Sequence, residues 1–169
     1  QMYESLRSTA ILQLNQGLLT STSAITTINK LHQINCGHVK LDDGTVVEIP
    51  NNRVPTLIDL LYEIPGKVIV WCAFQRDVEL IMAAIQARFK DRGAVHYYGK
   101  TTDQERANAL SLFEKSESTK WFVGTAATGG KSLTLVQAST TIYYSNTYNL
   151  EDRLQSEDRN HRIGQRNTV

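Results

Sequence analysis

Lys67-Val68-Ile69-Val70-Trp71-Cys72-Ala73-Phe74 is a short and almost unbroken apolar run, the pattern of a β-strand buried on both faces. An amphipathic stretch follows, Asp77 to Lys90, with Val78, Ile81, Met82, Ile85 and Phe89 on one helical face. The alternation then repeats. Ala94 to Tyr98 reads as a second strand, and Thr102-Asp103-Gln104-Glu105 as a capping box opening a helix that runs to about Glu114. Trp121-Phe122-Val123 is a third strand and Thr140 to Tyr144 a fourth. A last helix starts near Asn149, a good N-cap, and stops before Gly164. Strand–helix alternation of this kind predicts an α/β, three-layer domain whose mainly parallel sheet is flanked by helices on both faces. Ligands of such sheets sit at the carboxyl ends of the strands, which singles out the loops after Phe74, Tyr98, Val123 and Tyr144.

Upstream the pattern differs. Residues 1 to 35 carry loosely helical spacing, with Leu6, Ile11, Leu14, Leu18, Leu19, Ile25, Ile28, Leu31 and Ile34 apolar and breaks near Gly17 and from Thr20 to Ser23. Val39 to Ile49, centred on Asp43-Gly44, is a β-hairpin signal, because Asp-Gly tolerates the positive φ of a tight turn. Thr56 to Glu63 reads as a short amphipathic helix. The expected organisation is an N-terminal helical segment over residues 1–63, with a hairpin near 38–49, leading into an α/β lobe over 64–169. The opening at Gln1 and the close at Asn167-Thr168-Val169, where a strand is about to begin, predict a piece cut from a longer protein.

At 169 residues the chain is about one domain long. With 41% hydrophobic and 21% charged residues, it is neither collagen-like nor low-complexity nor largely disordered. Eighteen basic against 17 acidic side chains leave a formal charge of +1, so any nucleic-acid contact must come from a local patch. No apolar run approaches the roughly 20 residues of a membrane span. Cys36 and Cys72 are too few for a disulfide framework, and a reducing, intracellular setting is expected. His32, Cys36 and His38 lie close together but lack the fourth ligand of a zinc site, so metal binding is not expected.

Two segments carry candidate chemistry. Thr125-Ala126-Ala127-Thr128-Gly129-Gly130-Lys131-Ser132 invites a phosphate-loop reading, but the first glycine of that motif should stand at 125, where the chain has Thr. In the last helix, Gln155, Arg159 and Arg162 fall at i, i+4 and i+7 and so share one narrow face. An amide with two guanidiniums is suited to phosphate, since Arg presents rigid, permanently charged donor forks. The competing reading is a solvated helix laced with ion pairs, Arg153 with Glu157 and Asp158 with Arg162.

The whole string Gln155-Ser156-Glu157-Asp158-Arg159-Asn160-His161-Arg162-Ile163-Gly164-Gln165 resembles motif VI of the Swi/Snf-like ATPases, the DNA-translocating branch of the superfamily-2 helicases. Other segments fall in that family's order. Lys67 to Phe74 is similar to motif IV, Tyr98-Gly99 with Arg106 to the glycine and downstream arginine that follow, and Gly124 to Leu135 to motif V. Tyr144 to Asn149 resembles the stretch beyond it, and Leu31 to Cys36 the helix preceding the lobe. Motif V departs from the family: Gly129-Gly130-Lys131-Ser132-Leu133-Thr134-Leu135 lacks the usual second glycine and the Asn.

The resemblance implies the second RecA-like lobe of an ATP-dependent DNA helicase or translocase. ATP and Mg2+ would be held mainly by a first helicase lobe outside this chain, with neither bound tightly here. Arg159 and Arg162 would be arginine fingers on the γ-phosphoryl group, and Gln155, Gly129 and Gly130 would contact nucleotide. Thr125, Thr128 and Lys131 would meet DNA, expected to be duplex. The partners implied are the first lobe and DNA, with no membrane, and the fragment alone is expected to be inactive. The absence of long insertions suggests a bacterial or phage source and the cytoplasm of a bacterial or phage-infected cell. The alternative is a non-catalytic interaction module that keeps the fold.

Overall fold

The computed structural model describes residues 2–9, 11–14, 17–20, 23–90, 92–129 and 133–159. The chain divides into two compact units, Gln1–Arg53 and Val54–Val169.

The first unit holds α1 (Met2–Thr9), β1 (Ile11–Leu14), β2 (Gly17–Thr20), α2 (Ala24–Cys36), β3 (His38–Lys40) and β4 (Val46–Glu48). Both strand pairs are antiparallel. The β3–β4 hairpin forms where Asp43-Gly44 predicted it: Gly44 takes φ 89°, the Thr45 amide donates to the Asp43 carboxylate at 2.8 Å, and the Leu41 amide donates to the Thr45 carbonyl at 2.8 Å. The β1–β2 hairpin corrects the helical reading of residues 1–35, which holds only for α1 and α2. Leu6, Leu19, Leu31, Ile34, Val39, Leu41 and Val47 form this unit's core. Asp42 ties its polar side together, accepting from the Thr20 amide at 2.9 Å and hydroxyl at 2.8 Å and pairing with Lys30 at 2.9 Å. The Lys30 hydrogen bond, with that of Thr20 next, holds the Asp42 carboxyl below its ordinary range.

The second unit is the expected three-layer α/β domain. After α3 (Arg53–Glu63) come β5 (Lys67–Cys72), α4 (Gln75–Arg88), β6 (Gly93–Tyr97), α5 (Asp103–Lys115), β7 (Thr119–Thr125), α6 (Ala126–Gly129), β8 (Ala138–Tyr143) and α7 (Leu150–Glu157). The sheet order is β6-β7-β5-β8, and every pairing is parallel. Alternation along β5 sorts the core. Val68, Val70 and Cys72 pack with Leu57, Ile58 and Leu61 of α3 and Val78, Ile81 and Ile85 of α4. Ile69 and Trp71 pack with Ala109 and Phe113 of α5 and with Leu133, Leu135 and Ala138. The unit boundary therefore falls ten residues before the expected 63/64, because the apolar face of α3 belongs to the core of the sheet.

The capping box of α5 is complete: the Glu105 amide donates to the Thr102 hydroxyl at 3.3 Å, and the Thr102 amide to the Glu105 carboxylate at 2.8 Å. At the other end of α5 the Lys67 ammonium donates to the carbonyls of Phe113 and, at 3.0 Å, Ser116, capping the terminal carbonyls of the helix with a positive charge. Gly124 lets β6 and β7 approach closely, since a Cβ there would lie 2.8 Å from the Tyr97 carbonyl oxygen and 3.2 Å from the rings of Trp71 and Phe122.

Candidate functional site

The carboxyl ends of β5, β7 and β8 converge on one end of the sheet, with Cys72 beside Thr125 and Trp71 beside Tyr143 in register. The chain leaves β7 at Thr125, makes the short turn α6 and returns at Leu133. Thr125 is buried in the strand end and Thr128 half-buried, so Thr128 is the better presented of the two hydroxyls. Gly129 ends α6, whereas Gly130 and Lys131 lie outside the described residues.

Helix α7 begins as the sequence indicates, with the Asn149 side chain accepting from the Glu151 amide at 3.0 Å. The helix ends at Glu157 with Asp158 as C-cap, so Arg159 follows it in a turn instead of continuing its face. Arg159 is buried, and its guanidinium is directed inward. Its Nε donates to the Gln155 carbonyl at 2.7 Å and its Nη1 to the Leu133 carbonyl at 3.0 Å. The Leu135 amide returns a bond to the Arg159 carbonyl at 2.9 Å. Two segments far apart in sequence are thus stitched together, the loop after β7 and the turn after α7. The Gln155 side chain bonds the Glu151 carboxylate at 2.8 Å on the exposed side. Arg162 lies outside the described residues.

A network not apparent from sequence fixes α7 on β8. The guanidinium of Arg153 stacks on the Tyr143 ring with 3.4 Å to its centroid, pairs with Glu157 at 2.7 Å and donates to the Asn146 side chain. The ion pair Arg153–Glu157 expected of a solvated helix therefore forms as well. The Tyr143 hydroxyl is 2.8 Å from the hydroxyl of the fully buried Ser156, which donates to the Arg153 carbonyl at 2.7 Å. Burial raises the Tyr143 pKa against the opposing pull of the Ser156 bond and the Arg153 charge.

A second buried knot lies behind β5. The Ser145 hydroxyl accepts from the Ala73 amide at 2.7 Å and donates to the Asp77 carboxylate at 2.6 Å, joining the ends of β5 and β8 to the first turn of α4. Asp77 is completely buried. The amphipathic pattern of α4 gave no sign of it, because an acidic residue in a first helical turn reads as solvated. On α4, Glu79 accepts from Lys100 of the loop after β6 at 2.8 Å and from Arg76 at 3.0 Å, and these bonds, Lys100 foremost, lower its pKa. Arg106 lies over the Tyr97 ring, 5.4 Å from its centroid. Among the described residues no group of three His, Cys, Asp or Glu is placed to hold a metal ion.

Residues 52–164, which include every element of this site, match the family described as the helicase conserved C-terminal domain. The chain belongs to that family. It is 31% identical over 114 residues to the ISWI chromatin-remodeling complex ATPase ISW2 of Saccharomyces cerevisiae, covering 67% of this chain and 10% of that protein. It is 36% identical over 83 residues to the nuclear protein STH1/NPS1 of the same yeast, covering 48% of this chain and 6% of that one. It is 36% identical over 72 residues to the human SWI/SNF-related matrix-associated actin-dependent regulator of chromatin subfamily A member 1, covering 42% and 7%. The chain thus spans a tenth or less of the length of these curated relatives.

Two solved structures share the helicase-domain fold. One is the C-terminal part of the Fun30 ATPase domain, with TM-score 0.63 and 23% identity over 72% of this chain and 42% of that one. The other is the Sulfolobus solfataricus SWI2/SNF2 ATPase C-terminal domain, with TM-score 0.55 and 22% identity over 72% and 54%. At these identities they establish the fold, a RecA-like helicase C-terminal domain. The curated relatives named are yeast and human proteins, so the expectation of a bacterial or phage source, and of a cytoplasm to match, finds no support. No described helix is long and apolar enough to cross a membrane.

Proposed function

We propose that this chain is the second lobe of an ATP-dependent DNA translocase, completing a nucleotide site whose other half lies on a first ATPase lobe. The observation that supports this reading is the stitch between Arg159 and Leu133–Leu135, which ties the described end of the motif V segment to the turn that closes α7. ATP supplies the phosphoryl group to be transferred to water. Mg2+ is assigned to the first lobe, and among the described residues here no carboxylate cluster is placed to hold it.

Within this assignment Arg162 is the finger that neutralises charge on the γ-phosphoryl oxygens, a role whose loss costs about a thousandfold or more in rate. Arg159 was paired with it on sequence grounds. Its guanidinium is engaged with two main-chain carbonyls, so we assign it the positioning of the turn at Asp158–Arg159 that precedes Arg162 in the chain. Gln155, Gly129 and Gly130 are assigned to nucleotide, and Thr125, Thr128 and Lys131 to the DNA backbone. Phosphate contacts of this kind position the duplex without reading its sequence.

The test is DNA-stimulated ATP hydrolysis by the two-lobed protein. Arg162→Ala is expected to abolish turnover while leaving nucleotide binding largely intact, and Arg159→Ala to lower turnover with loss of thermal stability. Arg159→Lys, which keeps a donor for the carbonyls, is expected to restore part of both. Full turnover in Arg162→Ala would remove the finger assignment, whereas no DNA-stimulated hydrolysis by the unsubstituted two-lobed protein would favour the non-catalytic module.

A further inference from the structure

The amino end of the sheet, opposite the turn from β7 into α6, carries a second cluster that the proposed nucleotide site does not use. Gly66, Arg92 and Lys120 sit at the amino ends of β5, β6 and β7, and Tyr62 lies in the last turn of α3. The Tyr62 ring is 60% exposed. Two guanidiniums lie against it, Arg88 at 5.8 Å and Arg92 at 5.9 Å from its centroid. Behind it the Phe89 ring stacks at 6.4 Å, and Phe89 in turn contacts the buried Trp121 at 4.5 Å. Tyr62, Glu63, Pro65, Arg92, Lys120 and Trp121 line a hollow of about 340 Å³ there.

Among the described residues none of Arg88, Arg92 and Lys120 has an ion pair, in contrast to Arg76, Lys100, Arg106 and Arg153. The helix C-terminus of α4 accounts for a positive charge at Arg88. It does not account for Arg92, which follows the helix, or for Lys120 on a neighbouring strand. Guanidiniums held against an aromatic ring keep N–H donors for planar, bidentate acceptors. Among the described residues Glu63 is the one acidic side chain lining the hollow.

We infer that this Tyr62–Arg88–Arg92–Lys120 cluster is a second nucleic-acid contact, binding phosphates of a DNA duplex at the end of the lobe remote from the nucleotide. The hollow has room for a phosphate group and its sugar but not for a folded partner, and three unpaired cations of two geometries match successive phosphates better than a single carboxylate. The choice of duplex as ligand rests on the function proposed above. The location of the site rests on the cluster alone.

The experiment is fluorescence anisotropy of a labelled DNA duplex with this chain across a salt series. Each phosphate contact adds about 0.9 to the slope of log affinity against log salt, so Arg88→Ala/Arg92→Ala/Lys120→Ala is expected to lower the slope by about 2 to 3. Arg88→Lys/Arg92→Lys, which keeps the charge, is expected to retain the slope, and Lys120→Gln alone to lower it by about 0.9, which serves should the triple variant fail to fold. Unsubstituted chain that binds duplex with a slope no variant changes overturns this site and leaves the proposed function intact. Failure of the unsubstituted chain to bind duplex overturns both. Polyglutamate bound through these residues, with duplex binding insensitive to them, would assign the cluster to an acidic protein segment and overturn the inference.

Discussion

Arg153 sits over Tyr143, its guanidinium carbon 3.4 Å from the ring centroid, so one of the contacts joining α7 to the sheet is a cation on an aromatic face. Both partners are also polar-bonded, Arg153 to Glu157 and Asn146, Tyr143 to Ser156. Arg153→Ala is expected to cost about 1–2 kcal/mol, more than the exposed ion pair with Glu157 would account for. Glu157→Ala should cost well under 1 kcal/mol. Thermal melts of the two variants check the order, and equal losses would show that the stack contributes nothing.

Ser145→Ala removes the hydroxyl that satisfies both the Ala73 amide and the buried Asp77 carboxylate. A loss of about 2–3 kcal/mol is expected, from a charge-assisted hydrogen bond and a main-chain donor left without its acceptor. Asp77→Asn in the Ser145→Ala background should recover part of that loss, because the remaining group no longer carries a charge. Urea unfolding of the single and double variants tests the coupling.

Gly124→Ala places a methyl 2.8 Å from the Tyr97 carbonyl oxygen, a main-chain atom of a paired strand that cannot step aside. The expected cost is about 1–3 kcal/mol by overpacking. An unchanged midpoint would mean that β6 is held less firmly against β7 than their register implies.

Three carboxyls have lowered pKa values: Asp42 through Lys30, Glu79 through Lys100 and Arg76, and Glu105 through the Thr102 amide and hydroxyl. For a depressed folded-state value, the stabilisation is complete above the unfolded-state pKa and lost as pH falls through the folded one. Their contribution should therefore be constant at neutral pH and decline from about pH 4 downward, whereas His32, whose pKa burial lowers, costs stability earlier, as pH falls through the ordinary imidazole range. Glu79→Gln is expected to lower stability at pH 7 and to flatten part of the acid limb. A full acid limb in that variant would exclude Glu79 from it.

The elements that sequence revealed are those whose local signals agree with their place in the sheet. β5 reads as a continuous apolar run because it lies between β7 and β8 and is covered on both faces. α5 announces itself through Thr102 and Glu105, whose roles are complete within one turn. The β1–β2 hairpin was hidden, since Ile11-Leu12-Gln13-Leu14 and Gly17-Leu18-Leu19-Thr20 are rich in leucine, a good helix former, and carry no Asn-Gly or Asp-Gly turn. At the candidate site, the chain order of the loop after β7 and of α7 was legible. Arg159 was not: its spacing from Gln155 suggests an outward anion face, while its partners, the carbonyls of Gln155 and Leu133, are main-chain atoms that no side-chain pattern encodes. Ser145 and Asp77, 68 residues apart, meet only in the folded lobe.

β5 is bonded along its length to a parallel strand on each side. Tension applied along its axis would load both ladders in shear, so that many hydrogen bonds must yield together, whereas a pull across β8, bonded on one side by β5, would peel its bonds one at a time. Resistance to load in this lobe is therefore directional, high along the strands and low at the β8 margin. An optical-trap experiment with handles at Lys67 and Thr125, opposite ends of the paired β5 and β7, against handles at the register partners Lys67 and Ala138, would read that anisotropy as two different rupture forces.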